Sequence, residues 1–277
     1  MPLRRTSELV GSARARNVGV GAFNVTTLEQ AEGVVAGAEA ARLPVIVQLG
    51  QSTVEFHGGR VAPFAAACLA LAEGARVPVA LHLNHVDDER LYRQAVDIGF
   101  SSIMFDASGM AYEANVAATR AAADWAHEQG LWIEAELGEI GNAEGAHAPG
   151  VRTDPGEATS FVADTGVDGL AVAIGNVHAM RTATAQLDLD LVGRLRAAVG
   201  VPLVLHGSSG VADAELRDAV AAGLTKINVA TQLNVAFTGA IREAVGADAR
   251  LADPRRYLDR ARAAVAVTVE RLLRAIA

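Results

Sequence analysis

Three histidines each stand at the end of a short apolar run: His85 closes 79–85, His178 closes 169–178 and His206 closes 201–206. Apolar runs of this length, bounded by Gly or Pro, are typical of buried parallel strands. In a protein of alternating strands and helices, side chains at the carboxyl ends of such strands converge on one crevice. Three imidazoles match the ligand count of a catalytic zinc with an open position. The pattern predicts a zinc site, against the alternative that strand-end histidines are structural or solvated.

Two carboxylates accompany these histidines. Glu136 lies near the end of the run 131–137, where it is a candidate fourth or alternate metal ligand. Asp106 follows the run 102–105 and is a candidate to contact the metal or to orient a ligand histidine. The alternative is that each carboxylate only caps the following helix.

Small and hydroxyl residues follow the last two predicted strands, in the segments 206–210 and 228–231. Loops after strands seven and eight of a barrel commonly hold phosphate, because backbone N–H groups and a helix N-terminus face the anion. The two loops together predict a phosphate site, although the Gly-Ser-Ser-Gly loop alone is compatible with an ordinary turn.

The elements that must position these residues alternate along the whole chain. Eight strands are predicted at 20–25, 44–49, 79–85, 102–105, 131–137, 169–174, 202–206 and 225–229. Helices are predicted between and after them, at 27–42, 61–73, 88–98, 114–128, 155–165, 190–199, 213–222 and 233–245. Asp253 and Pro254 begin an extra helix that runs to Ile276. The expected fold is α/β, a single (β/α)8 TIM-barrel domain over 1–277 with an extra C-terminal helix.

A long Gly-rich loop is predicted at 138–154. Loops of this length in a compact domain often act as lids. Glu144 and His147 lie on it, and either is a candidate general acid or base, or simply a solvated side chain.

Composition narrows the functional class. The chain has 277 residues and a net charge of −8, which argues against a nucleic-acid partner. No apolar run reaches the length of a membrane span, and the N-terminus does not have the pattern of a signal peptide. Cys68 is the only cysteine, so a reducing, cytoplasmic location is expected. Lys226 is the only lysine and therefore the one candidate for a Schiff base.

Several segments resemble the class II, zinc-dependent fructose/tagatose-bisphosphate aldolases, most closely the tagatose-bisphosphate branch. The resemblance runs nearly end to end, and it is carried by the segments 22–24, 80–85, 103–108, 134–138, 170–175, 203–210, 226–231 and 253–255. It implies a carbon–carbon lyase that uses dihydroxyacetone phosphate as the donor. It also implies a monovalent cation, Na+ or K+, near the donor phosphate and a homodimer or homotetramer.

The resemblance also implies roles for individual residues. His85, His178 and His206 resemble the zinc ligands, with Glu136 as the alternate contact and Asp106 beside it. Glu144 resembles the lid glutamate that moves the donor's proton. Asn24, in the family segment 22–24, resembles a substrate-binding residue. The other positions that resemble substrate-binding or phosphate-binding residues are Ala179, Gly207, Ser209, Asn228, Thr231 and Arg255. Arg255 matches an arginine that reaches the second phosphate, in some members from a neighbouring subunit.

Three positions depart from the family pattern. Asn84 stands where the family has Asp before the first zinc histidine, Ala179 where it has Gly, and Gly50 where a hydroxyl residue is common. An amide cannot shuttle the proton that an aspartate takes or gives. Four interpretations stay open. The chain is an aldolase in which the substrate or another group, such as His147 or a water, replaces the aspartate, or it is a zinc lyase on another phosphorylated or polyol substrate. Alternatively, it is a non-catalytic sugar-phosphate-binding relative, or Asn84 is an engineered substitution. Ala179 and Gly50 argue against the last, and the first two are favoured. Schiff-base chemistry through Lys226 is a separate and less favoured alternative.

Overall fold

The computed structural model describes residues 2–137, 152–176, 186–248 and 250–277. Eight parallel strands close into one barrel in the order β1 to β8, so neighbours along the chain are neighbours in space. The strands are β1 Val20–Asn24, β2 Val45–Gly50, β3 Val79–Val86, β4 Ser102–Phe105, β5 Trp132–Leu137, β6 Gly169–Val172, β7 Leu203–Leu205 and β8 Leu224–Val229. The barrel confirms the TIM-barrel prediction, and each strand lies within a few residues of its predicted position.

Helices surround the barrel. They are α1 Thr6–Arg16, α2 Leu28–Ala41, α3 Gln51–Phe56, α4 Val61–Gly74, α5 Glu89–Tyr92, α6 Ala95–Ile98, α7 Tyr112–Glu128, α8 Pro155–Thr165, α9 Leu189–Ala198, α10 Asp213–Ala222, α11 Thr231–Ala247 and α12 Pro254–Ile276. None of the helices in the described ranges combines the length and apolar character that a bilayer crossing requires. The predicted helix at 88–98 is two short helices, α5 and α6, and the short helix α3 was not predicted. The single-domain extent of 1–277 stays a prediction.

Helix ends follow local sequence signals. Thr27 forms a capping box with Gln30 at the start of α2. Asp253 accepts a hydrogen bond from the backbone N–H of Arg255, and Pro254 occupies the first position of α12, as predicted. The extra C-terminal helix is therefore confirmed with the N-terminal cap that the sequence indicates.

The helix α1 closes the N-terminal end of the barrel, which the sequence analysis did not predict. Its buried residues Leu9, Val10 and Ala13 pack against Ile46 and Trp132 from the barrel strands. This apolar layer fills the end opposite to the strand carboxyl termini. Polar side chains can therefore be concentrated at the other end, where a barrel fold places its sites.

Candidate active site at the carboxyl end of the barrel

His85 reaches the site through an irregularity in β3. The pairing of β3 with β4 shifts register between Leu83 and Val86, and His85 has a left-handed φ of 47°. A bulge of this kind redirects a side chain at the rim of a barrel. The Nδ1 atom of His85 lies 2.6 Å from Oδ2 of Asp106. This contact makes Nε2 the nitrogen of His85 that can ligate a metal.

His206 lies between two carboxylates directly after β7. Its Nδ1 is 2.9 Å from Oε2 of Glu136, and its Nε2 is 2.9 Å from Oε1 of Glu134. Complete burial opposes the positive charge, but hydrogen bonds and negative charge from Glu134 and Glu136 raise the pKa of His206 to about 9. A metal at this position therefore has to displace a proton.

Three of these residues form a potential metal-binding cluster. Ligand atoms of His85, Glu136 and His206 lie within 4.8 Å of one another. The rings of the two histidines have their centroids 4.6 Å apart. Two imidazoles and a carboxylate form a donor set that zinc accepts, with a coordination position left for a further ligand. The described residues therefore fit a zinc ion, whereas the predicted ligand His178 lies outside the described part of the chain.

A cavity of about 90 Å³ adjoins the cluster. It brings together eight of the residues singled out in the sequence, namely Asn24, Asn84, His85, His206, Gly207, Ser209, Asn228 and Thr231. Residues from strands that are far apart in the chain therefore line one cavity. The sequence predicts this arrangement, because side chains at the carboxyl ends of the strands converge.

The loops after β7 and β8 form the other wall of this cavity. Gly207 has a φ of 63°, a left-handed conformation that leads into the short 3-10 turn Ser208–Gly210. Ser209 Oγ accepts a hydrogen bond from the backbone N–H of Gln232 at 3.3 Å, which ties the turn to the start of α11. Since α11 begins at Thr231 and has 17 residues, the positive end of its dipole faces this wall. The arrangement suits an anion.

Three amides form a hydrogen-bonded row beside the cluster. Gln48 Nε2 donates to Asn24 Oδ1 at 2.7 Å, and Asn84 Nδ2 donates to the same oxygen at 3.5 Å. The Oδ1 atom of Asn84 is buried and has no hydrogen-bond partner among the described residues. Asn84 therefore offers an acceptor oxygen, and the oxygen of Asn24 is held by its neighbours.

Sequence reasoning missed the buried ionic group below the cavity. Glu134, Lys226 and His82 are completely buried, and Lys226 Nζ lies 2.9 Å from Glu134 Oε2. Burial opposes ionisation of Glu134, but Lys226, His206 and His82 hold its pKa well below the usual range. The sequence contains a signal for this group, because residues two positions apart on a strand share a face. Glu134 is two positions before Glu136, and Lys226 is two positions before Asn228.

Other predicted residues lie apart from the cavity or outside the described ranges. Arg255 pairs with Asp253 at 2.8 Å and lines a separate groove with Glu29 and Glu32. The cavity therefore does not include Arg255 of the same chain. Ala179, Glu144 and His147 fall in segments outside the described residues, so their predicted roles stay predictions.

The sequence profile described as "Fructose-bisphosphate aldolase class-II" matches residues 4–277. A fructose-bisphosphate aldolase of Staphylococcus aureus is 33% identical over 278 residues, which covers 98% of this chain and 96% of that protein. The protein YdjI of Escherichia coli K12 is 40% identical over 234 residues, covering 83% of this chain and 84% of its own. The crystal structure titled as the YdjI aldolase superposes with a TM-score of 0.85 at 33% identity, covering 99% of this chain and 97% of that one.

Proposed function

Because the chain belongs to the class II fructose-bisphosphate aldolase family and is therefore a carbon–carbon lyase, we propose that it is a zinc-dependent aldolase with dihydroxyacetone phosphate as its donor. The reaction forms or cleaves a ketose phosphate or bisphosphate. The observation that supports this proposal best is the His85, Glu136 and His206 cluster beside a cavity with anion-binding loops. Relatives of this chain are named fructose-bisphosphate aldolases. The resemblance of the sequence segments to the tagatose-bisphosphate branch adds tagatose bisphosphate to the proposed substrates.

Zinc would be held by His85 and His206, with Glu136 as the alternate ligand and His178 added on the basis of the family resemblance. Zinc bound there supplies a Lewis acid for the carbonyl and hydroxyl oxygens of the donor. Asp106 fixes the orientation of His85 through its 2.6 Å contact. Glu134 fixes the orientation of His206 through its 2.9 Å contact with Nε2.

The donor phosphate is placed on the loops after β7 and β8. The backbone around Gly207, the hydroxyl groups of Ser209 and Thr231 and the N-terminus of α11 supply donors there. Asn228 lines the same cavity, and its buried Nδ2 has no hydrogen-bond partner among the described residues. An oxygen-rich ligand can therefore satisfy this group.

Proton handling is the part in which this chain differs from the family pattern. We assign the exchange of the carbon-bound proton to Glu144, by resemblance. Asn84 accepts a hydrogen bond through Oδ1 from the hydroxyl formed at the new carbon–carbon bond, because its Nδ2 is directed to Asn24. An amide cannot take that proton, and losing a general acid–base costs on the order of 10²–10⁴ in rate. Donor activation is therefore expected to be efficient and cleavage slow.

Further parts of the proposal come from the resemblance. They are a Na+ or K+ ion near the donor phosphate, a homodimer or homotetramer, and contact between Arg255 and a second phosphate. The side chain of Arg255 is 89% exposed, so it is available to a neighbouring subunit. The single buried cysteine agrees with the cytoplasm as the proposed compartment.

The proposal is tested by separating the two half-reactions. Zinc-loaded protein is incubated with dihydroxyacetone phosphate in deuterated water, and deuterium incorporation is followed by NMR. Cleavage of fructose and tagatose bisphosphates is measured in parallel. We expect exchange that a chelator abolishes and zinc restores, with slow cleavage. Absence of exchange in zinc-loaded protein contradicts the donor assignment, and full activity in chelator contradicts the metal assignment.

A diverged lyase on another phosphorylated or polyol substrate is the second candidate, favoured by the amide at position 84. It predicts efficient exchange of the donor but no cleavage of either bisphosphate, even when aspartate is restored at that position. Screening aldehyde acceptors for condensation with dihydroxyacetone phosphate then identifies the acceptor.

A further inference from the structure

Lys226 is completely buried in β8, directly below the proposed donor site. Its Nζ lies 2.7 Å from Oδ1 of Asn228 and 2.9 Å from Oε2 of Glu134. It does not line the cavity that contains Asn228. A buried ammonium held by these two partners has no access to a substrate carbonyl, so this position does not suit Schiff-base chemistry.

The chemistry of the ammonium determines which way Asn228 points. A lysine ammonium has three donors and no acceptor, so the amide has to present its oxygen to Nζ. The NH2 group of Asn228 is consequently turned away from Lys226. Its Nδ2 is buried and has no hydrogen-bond partner among the described residues. An unsatisfied buried donor destabilises the site, and a hydrogen-bond acceptor on a ligand can satisfy it.

The same ammonium also contacts the carboxylate that holds the metal ligand His206. Glu134 uses Oε2 for Lys226 and Oε1 for Nε2 of His206. One buried charge thus connects the residue proposed to bind the donor with a residue proposed to bind the metal. Asn228 and His206 have to act on the same ligand. Their common connection through Lys226 and Glu134 fixes the distance between them.

We infer that Lys226 is a positioning residue. It holds the NH2 group of Asn228 toward an oxygen of dihydroxyacetone phosphate that accepts a hydrogen bond. The inference rests on the proposed function, since it takes the ligand to be dihydroxyacetone phosphate. The ligand chemistry it requires is an oxygen that accepts hydrogen bonds, such as a phosphate, hydroxyl or carbonyl oxygen. A group that only donates is excluded at this position.

The direct test observes the side-chain amide itself. Protein labelled with 15N at asparagine gives an Asn228 NH2 signal that is assigned by its loss in Asn228→Ala. We expect dihydroxyacetone phosphate to shift this signal strongly and slow its exchange with water. The Asn17 signal is the control, because Asn17 lies at the opposite end of the barrel beside α1. Binding of the donor without a change at Asn228 overturns the inference and leaves the proposed function in place. No binding at all overturns both.

The role of Lys226 is tested by a double-mutant cycle. Lys226→Met and Glu134→Gln are introduced together as one change, so that neither buried charge is left without its partner. We expect this change to raise the dissociation constant for dihydroxyacetone phosphate about tenfold, by loss of one oriented hydrogen bond. Adding Asn228→Ala is then expected to change the constant less than twofold, although Asn228→Ala has its full effect in the unaltered protein.

Additive effects of the paired change and of Asn228→Ala mean that Lys226 acts only on stability and overturn the positioning role. Circular dichroism and thermal unfolding verify that each variant is folded. If the paired variant does not fold, the NMR measurement on the unaltered protein still decides the orientation of Asn228.

Discussion

Asp106 and His85 form a 2.6 Å hydrogen bond between Oδ2 and Nδ1 at the carboxyl end of the barrel. Burial opposes ionisation of the carboxyl group, but hydrogen bonds from His85 and Ser108 hold the pKa of Asp106 well below its usual range. Asp106 is therefore an anion at neutral pH and selects the Nδ1–H tautomer of His85. The carboxylate contacts the histidine and lies outside the cluster of three residues that could hold a metal.

Replacing Asp106 is expected to weaken metal binding. Asp106→Ala should lower zinc affinity about 10- to 100-fold, because the ring of His85 loses the partner that orients it. Asp106→Asn should lose less, since the amide oxygen still accepts from Nδ1–H. Competition with a chromophoric chelator measures both. Asp87→Ala, an exposed carboxylate two residues after His85, is the matched control, and an equal loss there contradicts the orienting role.

Restoring the acidic residue at position 84 is expected to raise cleavage. Asn84→Asp should increase kcat for bisphosphate cleavage by about 10²-fold or more, because a carboxylate can exchange the hydroxyl proton. The rate of deuterium exchange into dihydroxyacetone phosphate should change little. Asn84→Ala, which also removes the amide, should give no gain. Unaltered cleavage in Asn84→Asp would argue that another group already performs this proton transfer.

The contact between α2 and α12 depends on glycine. A Cβ at Gly37 would lie 2.4 Å from the carbonyl oxygen of Ala266, and one at Gly33 would lie 2.8 Å from that of Arg262. Gly37→Ala is therefore expected to destabilise the fold by about 1–3 kcal/mol through overpacking. Gly193→Ala, in α9 with nothing near its Cβ position, should stabilise by up to about 1 kcal/mol through helix propensity. Thermal or urea unfolding distinguishes them, and equal effects contradict the packing account.

Cys68 is expected to be unreactive until the protein unfolds. The thiol is buried, and burial raises its pKa to about 12. At pH 8 the thiol is therefore protonated, and the thiolate is the reactive form. A thiol reagent such as Ellman's reagent should label the native protein negligibly and label it fully in denaturant. Rapid labelling of the native state would contradict the burial of this side chain.

Local patterns in the sequence determined much of the architecture. Apolar runs separated by helical segments predicted all eight strands and the C-terminal helix. The period of two in strands and the period of 3.6 in helices both depend on residues only a few positions apart. The same reasoning placed His85, His206 and the loops after the last two strands at one end of the barrel. The family resemblance added the expectation of an aldolase, and the matching relatives confirm the family.

Only the tertiary structure decided how these residues face one another. The irregularity in β3 that redirects His85, the closure of the barrel by α1 and the row of amides at Asn84 depend on pairing between strands distant in the chain. The sequence leaves several roles open for Asp106, and the tertiary structure shows its contact with Nδ1 of His85. Lys226 is the one lysine available for a Schiff base, whereas the structure buries it between Glu134 and Asn228. A sequence indicates which side of a strand a side chain occupies, but the partner of each polar atom is determined by packing across the barrel.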